Sequence, residues 1–369
     1  MLQAPPAEPG MHEDEVDTPA LLLDLDAFEH NLGAMAALLA PHGVKLRAHA
    51  KTHKSPVIAQ LQMRRGAIGQ CVQKVGEAEQ LAWGGIPDVM VTNQVVGARK
   101  LARLAALARI CDVSVCVDDA LQVLAIEAAA EAAGVRIPVL VEIDVGAARC
   151  GVQPGPEAVA LAERIAESRH LRFGGIQAYQ GSAQHIREPE RRAAAIHVAV
   201  DAARRTVEQL RQRGLDCPVV GGGGTGSFAH EAASGVYTEI QAGSYAFMDA
   251  DYARNEGAPP FRQSLFVLAT VMSASSPRIA VLDAGHKAVP TDSGPPLVWR
   301  RPGVTYAGAS DEHGKLTVED PSLRPALGEK LRLVPGHCDP TVDRYDWYVG
   351  VRGGRVECLW PVAARGAMA

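Results

Sequence analysis

The sequence carries no strong excess of charge of either sign. Its 369 residues include 37 Lys and Arg against 42 Asp and Glu, which gives a formal net charge of -5. Because acids and bases are mixed along the chain, this balance argues against a nucleic-acid partner or a membrane-surface role. We therefore predict a protein that acts on a small molecule, with no nucleic-acid and no membrane partner.

Long apolar runs and paired cysteines are also missing. No uninterrupted apolar stretch is long enough to span a bilayer, and Met1 to Glu15 contains prolines and acids in place of the apolar core of a signal peptide. The seven cysteines form no C-x-x-C pair, so neither a disulfide framework nor a zinc-ribbon site is expected. These features predict a protein of the reducing cytoplasm.

The sequence does contain a regular alternation of short apolar segments with Ala- and Leu-rich amphipathic stretches. After a strand at about residues 19–24, eight further strand candidates follow at 44–50, 67–72, 88–92, 112–117, 138–143, 173–179, 218–221 and 238–242. Alternating strands and helices in this number predict an α/β fold with a (β/α)8 TIM-type barrel. A doubly wound open sheet is the alternative, because strand counts from one sequence carry errors of an element or two.

The composition changes after about Asn255, which predicts a second domain. Short Val- and Leu-rich segments appear there, separated by turns such as Arg352-Gly353-Gly354, and they indicate an antiparallel β domain. The predicted organisation is a flexible tail over residues 1–17, a barrel over 18–255 and a β domain over 256–369. The first strand, at about 18–24, belongs either to the barrel or to the sheet of the C-terminal domain.

A lysine flanked by histidines follows the first strand of the predicted barrel, within the stretch Arg47 to Lys54. In a (β/α)8 barrel, functional side chains collect at the carboxyl ends of the strands, where Lys51 would stand. A buried lysine can lose its proton because desolvation disfavours the ammonium form, and the neutral amine can condense with an aldehyde. The alternative is a solvated strand end, where Lys and His serve solubility only.

Two glycine-containing turns follow the seventh and eighth predicted barrel strands. They are Gly221 to Ser227, which includes Gly224, Thr225 and Gly226, and Gly243-Ser244-Tyr245. Glycines allow the backbone to approach an anion, and phosphate sites of this architecture commonly use these two loops. The alternative is a flexible loop. A phosphate anchor and a reactive lysine at one barrel mouth together suggest pyridoxal phosphate.

The C-terminal domain contains a possible metal-ligand pair in Pro335 to Pro340. On an extended segment, side chains two residues apart point to the same side, so His337 and Asp339 could bind one hard divalent cation. A His-x-Asp pair is also common by chance, which is the alternative.

Several motifs, taken in order, resemble one enzyme family. They are Arg47 to Lys54, Gln70 to Glu79, Glu142-Ile143-Asp144 with Arg149-Cys150-Gly151, Gly181 to His185, and Pro335 to Thr341. The chain from Thr18 onward is similar to the D-threonine aldolase and D-serine dehydratase-like family, which has the alanine racemase-like fold of pyridoxal phosphate enzymes. Within that family it looks most like the 3-hydroxy-D-aspartate (β-hydroxyaspartate) aldolases.

The resemblance implies a set of roles for residues of this chain. Lys51 would bind pyridoxal 5'-phosphate covalently, and His337 and Asp339 would hold a divalent cation (Mg²⁺ or Mn²⁺). His185 or a metal-bound water would take a proton from the substrate. The residues that would hold the cofactor besides Lys51 are Gln73, Arg149, Tyr179, Gly224, Thr225, Gly226, Gly243, Ser244 and Tyr245. A homodimer is expected on the same resemblance.

The implied reaction is cleavage of a β-hydroxy-D-amino acid to glycine and an aldehyde, and the reverse condensation. The expected substrate is 3-hydroxy-D-aspartate, which yields glyoxylate, with D-threonine as a further substrate. A dehydratase that releases ammonia from D-serine or 3-hydroxyaspartate is the first alternative. A non-catalytic pyridoxal phosphate-binding protein is the second, and the β domain argues against it.

Overall fold

The computed structural model describes residues 3–257 and 259–369. Eight parallel strands close into a barrel in the order β2 to β9, each paired with the next along the chain and β9 with β2. The strands are β2 Lys45–His49, β3 Gly69–Val72, β4 Asp88–Gln94, β5 Asp112–Val117, β6 Ile137–Glu142, β7 Leu171–Gln177, β8 Val219–Gly222 and β9 Glu239–Ile240. The predicted (β/α)8 barrel is therefore confirmed, and the open-sheet alternative is excluded.

Helices join the barrel strands and pack around them. They are α1 Leu25–Leu39, which precedes β2, then α2 Pro56–Arg64, α3 Val75–Trp83, α4 Ala98–Leu107, α5 Ala120–Ala133, α6 Pro156–Glu167, α7 Pro189–Gln212 and α8 Phe228–Ala233. Local signals mark the ends of α5: the Asp119 carboxylate accepts from the N–H of Leu121, and Gly134 follows in the left-handed conformation with φ 65°. Strands such as β6 are buried on both faces, which explains the continuous apolar run over residues 137–141 that precedes Glu142.

The second domain is built on a nine-stranded sheet. Its elements are β1 Ala20–Asp24, β10 Leu265–Ser276, β11 Ile279–Leu282, β12 Leu297–Val298, β13 Val304–Ala309, β14 Gly314–Val318, β15 Lys330–Val334, the short helix α9 Cys338–Val342, β16 Trp347–Arg352 and β17 Arg355–Pro361. The order is β13-β14-β11-β10-β1-β16-β17, and β15 pairs with β10 and β12. The sheet is antiparallel except for the parallel pair β1 and β16.

The first strand of the chain belongs to this second sheet and not to the barrel. Leu21 pairs with Val267 on one side and with Tyr348 on the other. The N-terminal segment, predicted from its prolines and acids as a flexible tail, lies along the same domain. His12 forms a bridge with Arg355, and Arg332 donates to Glu13. The segment around His12 and Glu13 therefore contributes to the surface of the β domain.

An apolar cluster continues from the barrel into the β domain and fixes one against the other. It includes Leu46 and Ile240 from barrel strands together with Val342 and Tyr348 from the second domain. The Tyr348 hydroxyl donates to the backbone carbonyl of His53 at 2.7 Å. This contact holds the turn that follows β2 against the β domain. Within the described part of the chain, no helix is long and apolar enough to cross a membrane.

Candidate active site

A cavity of about 560 Å³ opens at the carboxyl ends of the barrel strands, next to α9 of the β domain. Eleven of the thirteen residues predicted for the site line it. They come from six loops of the barrel mouth and from the start of α9: Lys51, Gln73, Arg149, Tyr179, His185, Gly224, Thr225, Gly243, Ser244, His337 and Asp339. The barrel and the β domain therefore build one site together.

Lys51 lies two residues beyond the end of β2, in a turn that closes at Lys54 with a positive φ of 51°. Its Nζ is 3.3 Å from Oδ2 of Asp339, and its side chain is 43% exposed to the cavity. The Asp339 carboxylate outweighs the effect of burial, so the pKa of the Lys51 amine is raised. From the sequence, burial was expected to lower the pKa of Lys51. In the cofactor-free structure the pKa is raised instead, because the Asp339 carboxylate of the second domain faces the amine.

His49 is the last residue of β2 and is buried beside the lysine. Its Nδ1 accepts from the backbone N–H of Lys51 at 3.4 Å, and its Nε2 is 3.2 Å from Oγ1 of Thr92 and 2.9 Å from Nε2 of Gln73. Burial lowers the pKa of His49 well below its usual value, and the positive charge of Lys51 adds to this effect. His49 is therefore a neutral ring that supports the backbone of Lys51.

Arg149 and Tyr179 form one wall of the cavity. The guanidinium carbon of Arg149 lies 5.6 Å from the centre of the Tyr179 ring, in cation–π geometry. Nη2 of Arg149 is 3.9 Å from Oε1 of Glu142, the last residue of β6. Burial raises the pKa of Glu142, although its hydrogen bond from Gln94 and the charge of Arg149 oppose the change. The wall thus presents an exposed positive charge and an aromatic face to a bound molecule.

The glycine-rich turn after β8 reaches the cavity through Gly224 and Thr225. Oγ1 of Thr225 is buried and has no hydrogen-bond partner in this structure. The turn is held from behind by Gln184, whose Oε1 accepts from the N–H of Gly226 at 3.0 Å and whose Nε2 donates to Oγ of Ser227 at 2.6 Å. Gly226 itself faces a small neighbouring space and does not line the cavity.

The turn after β9 brings Gly243 and Ser244 to the cavity. A Cβ added to Gly243 would lie 2.5 Å from Oγ1 of Thr52 and 2.7 Å from the carbonyl oxygen of His49, so only glycine fits this close approach. Tyr245 does not line the cavity with its side chain. The ring is fully buried in the apolar cluster between the domains, and its hydroxyl accepts from Gln62 at 3.2 Å.

His185 ends a short 3-10 helix, Ser182–His185, after β7. Its side chain is 52% exposed to the cavity, and its Nδ1 is hydrogen-bonded to Oδ2 of Asp251. The ring also stacks at a tilt on Tyr252, with centroids 5.7 Å apart. The orientation of the His185 ring is therefore fixed by Asp251 and Tyr252, which are distant from it in sequence.

His337 and Asp339 both line the cavity, as the sequence predicted, but the segment between them is not extended. His337 is the residue before α9, and Asp339 lies in the first turn of that helix. Although burial opposes the change, the charges of Lys51 and His337 lower the pKa of Asp339 to about 2. Nδ1 of His337 is 2.7 Å from Oδ2 of Asp292. No group of three or more ligating side chains occurs within residues 3–257 and 259–369.

These features fit pyridoxal phosphate and a divalent cation. The cavity offers an amine at Lys51, an unpartnered buried hydroxyl at Thr225, and close backbone approach at Gly224 and Gly243, which together suit a phosphorylated aldehyde. An imidazole and an ionised carboxylate suit a divalent ion that takes its remaining ligands from water or substrate.

Sequence reasoning missed several residues of the site. Thr52, Gln241 and Tyr252 line the cavity, while Asp251 and Asp292 hold the two histidines from behind. Thr52 stands beside Lys51 in the quoted motif and could have been found. Asp251 and Asp292 lie in loops whose partners are distant in sequence, and no local pattern distinguishes them from ordinary turn residues.

Comparison with known proteins agrees with this geometry. Residues 23–251 match the family model described as alanine racemase, N-terminal domain, and residues 264–351 match a model of a serine dehydratase domain. A D-threonine aldolase from Arthrobacter sp is 50% identical over 98% of this chain and 96% of its own length. A 3-hydroxy-D-aspartate aldolase from Paracoccus denitrificans is 48% identical over 98% and 95%.

Solved structures give the same result. The crystal structure of D-threonine aldolase from Filomicrobium marinum has a TM-score of 0.98 at 51% identity and covers 100% of both chains. D-threo-3-hydroxyaspartate dehydratase from Delftia sp. HT23 has a TM-score of 0.87 at 30% identity, and the match covers 95% of this chain and 98% of that chain. One variant of that dehydratase was solved in a metal-free form. The chain belongs to the alanine racemase-like family of pyridoxal phosphate enzymes, in the group of aldehyde-lyases that includes D-threonine aldolase and 3-hydroxy-D-aspartate aldolase.

Proposed function

We propose that this enzyme is a pyridoxal phosphate- and divalent-metal-dependent aldolase that reversibly cleaves 3-hydroxy-D-aspartate to glycine and glyoxylate, and D-threonine to glycine and acetaldehyde. The observation that carries the proposal is the convergence of four kinds of group on one cavity. These are the Lys51 amine, the turn at Thr225, the imidazole of His185, and the pair His337 and Asp339. A carrier of the cofactor needs neither the histidine nor the pair.

The cofactor would be held by residues from several loops around the cavity. Lys51 would bind its aldehyde carbon, and the backbone at Gly224 and Gly243 with the Thr225 hydroxyl would bind its phosphate. Arg149, with the Tyr179 ring, would face its polar edge. When bound, pyridoxal phosphate supplies an electron sink for the pair released at Cα, which protein side chains do not provide.

Cleavage of the Cα–Cβ bond turns the β-hydroxyl into an aldehyde, so that hydroxyl must lose its proton. His185 is suited to accept it, because Nδ1 is occupied by Asp251 and Nε2 is left as the free nitrogen. The Cα atom then takes up a proton and the product is glycine. Proton transfer by a positioned side chain contributes about 10²- to 10⁴-fold to rate.

A divalent cation would be held by His337 and Asp339. Asp292 occupies Nδ1 of His337 and leaves Nε2 for the metal, which is the usual carboxylate–histidine–metal arrangement. The low pKa of Asp339, about 2, keeps its carboxylate ionised and able to bind. The ion would act as a Lewis acid on the substrate hydroxyl oxygen. The description of one dehydratase variant as metal-free indicates that this relative binds metal, which supports the proposal.

The function is tested by product analysis. The purified protein is incubated with pyridoxal phosphate, Mn²⁺ and either 3-hydroxy-D-aspartate or D-threonine, and glycine and ammonia are both quantified. We expect glycine in equal amount to the aldehyde, with no ammonia. Release of ammonia and an oxo acid would identify a dehydratase, the activity named for the 30% identical relative from Delftia.

The metal site is tested separately with His337→Ala and Asp339→Ala. We expect both variants to lose the activation by Mn²⁺ while the visible absorbance of the Lys51-bound cofactor is retained. If the cofactor is lost together with the activity, the pair holds the structure of the site and not a metal. Asp311→Ala, in an exposed turn of the β domain, is the matched control.

A further inference from the structure

Asp251 lies in the loop between the last barrel strand and the β domain, and its side chain contacts His185 from outside the cavity. Asp251 is buried, with 6% exposure, and does not line the cavity, whereas His185 does. Its Oδ2 accepts a hydrogen bond from Nδ1 of His185. This contact, together with the Tyr252 ring 5.7 Å from the imidazole, fixes the ring plane and leaves Nε2 available to the substrate space.

The other carboxylate oxygen of Asp251 is held by two guanidinium groups. Oδ1 accepts from Nη2 of Arg187 and, at 2.5 Å, from Nη2 of Arg254. Arg187 is itself fixed, because its Nη1 donates to Oδ1 of Asn255 at 2.6 Å and to the backbone carbonyl of Asp251 at 2.7 Å. Burial alone would raise the pKa of Asp251, but the hydrogen bonds from Arg187 and His185 lower it. The carboxylate therefore stays ionised, and the shared proton stays on the imidazole.

We propose that Asp251 is a positioning residue of the aldol cleavage, which fixes His185 as the tautomer with a proton on Nδ1 and a lone pair on Nε2. The inference rests on the proposed function, in which His185 accepts the β-hydroxyl proton. As the Cα–Cβ bond breaks, the O–H bond also breaks, its electron pair completes the aldehyde C=O bond, and the proton moves to Nε2. The imidazolium that results lies against the Asp251 carboxylate, which stabilises it.

The two arginines determine how the side chain of the variant Asp251→Asn is oriented. Both donate to Oδ1, so the amide oxygen of the variant takes that place and the amide NH₂ faces His185. An NH₂ group cannot accept from Nδ1–H, and the imidazole is therefore driven to the other tautomer, with its proton on Nε2. The variant keeps size, burial and both arginine contacts but removes the lone pair that receives the substrate proton.

The experiment is a double-mutant cycle on the holoenzyme. We measure kcat and KM for β-hydroxy-D-amino acid cleavage in the wild type, Asp251→Asn, His185→Ala and the double variant. We expect Asp251→Asn to lower kcat by about 10²-fold or more, with KM and the cofactor absorbance nearly unchanged. In the His185→Ala background the same substitution should change kcat less than about twofold. Asp201→Asn, at an exposed Asp–Arg pair on α7, is the matched control and should leave kcat unchanged.

An equal loss of kcat in both backgrounds would overturn the proposal, because Asp251 would then act independently of His185. Unchanged kcat in His185→Ala would overturn it together with the role of His185. If the wild type releases ammonia instead of glycine, the proposed function fails, but the cycle measured on ammonia release still tests the coupling.

A measurement on the wild type covers the case in which Asp251→Asn does not fold. With ¹⁵N-histidine labelling, and assignment by comparison with His185→Gln, the ¹⁵N shifts report which ring nitrogen carries the proton. We expect the proton of His185 on Nδ1. A proton found on Nε2 alone would contradict the proposal.

Discussion

Glu231 allows a quantitative test of the electrostatics around the glycine-rich turn that follows β8. It lies on α8, is 1% exposed, and accepts from Oγ of Ser227 at 2.8 Å, while its Oε2 has no partner. Burial raises its pKa from the usual 4.5 to about 7, although the hydrogen bond from Ser227 opposes the change. Between about pH 4.5 and pH 7, the folded protein therefore binds up to one more proton than the unfolded chain.

The sign of the effect on stability follows directly. Because the folded pKa is raised, the protonated carboxyl of Glu231 is favoured in the folded state, and its full contribution is present below about pH 4.5. Stability is lost as pH rises towards about 7 and is constant above it. A shift of this size corresponds to about 3 to 4 kcal/mol, at roughly 1.4 kcal/mol for each pKa unit.

Glu231→Gln removes the titrating group and keeps its shape. The free energy of unfolding of the cofactor-free wild type and variant is measured by urea denaturation at several pH values from 5 to 8, and the difference is taken at each pH to cancel other groups. We expect the variant to gain about 2 to 3 kcal/mol relative to the wild type across this range. Glu208→Gln, on the exposed face of α7, is the control and should show no such gain. A constant difference for Glu231→Gln would refute the assignment of a buried neutral carboxyl.

Three further predictions follow from the site and the barrel. Lys51→Ala should abolish both the visible absorbance of the bound cofactor and turnover, and normal activity in this variant would refute the scheme. Arg47→Met should lower the free energy of unfolding by about 3 kcal/mol or more, because it leaves the buried carboxylate of Glu239 on β9 unpaired and removes the bond to the half-buried Asp88 on β4. An unchanged urea midpoint would be inconsistent with this. Asp292→Ala should weaken Mn²⁺ binding in calorimetry about 10- to 100-fold by freeing His337, and equal affinity would remove Asp292 from the metal site.

The barrel could be predicted because its information is local. Parallel strands covered on both faces contain continuous apolar runs, as β6 does over residues 137–141. The helices between the strands carry their own caps, such as Asp119 and Gly134 at α5. Functional side chains of a (β/α)8 barrel lie at the carboxyl ends of its strands. This alone predicts that Lys51, His185 and the two glycine turns share one mouth of the barrel.

The parts that could not be predicted depend on contacts between distant segments. Nothing within residues 20–24 distinguishes a barrel strand from one that pairs with β10 and β16. The direction of the Lys51 pKa shift is set by Asp339 from the other domain, and the orientation of His185 is set by Asp251. The prediction of an extended segment from His337 to Asp339 was wrong, because the helix Cys338–Val342 begins there. A local signal for this helix is present, since proline is typical of a first helical turn and Pro340 stands in it.

The proposed function depends on cleavage of a Cα–Cβ bond in the cavity at Lys51. The decisive measurement incubates the holoenzyme with Mn²⁺ and 3-hydroxy-D-aspartate and quantifies glycine and ammonia in the same sample. We expect one glycine for each glyoxylate and no ammonia. Ammonia with an oxo acid, and no glycine, would contradict it.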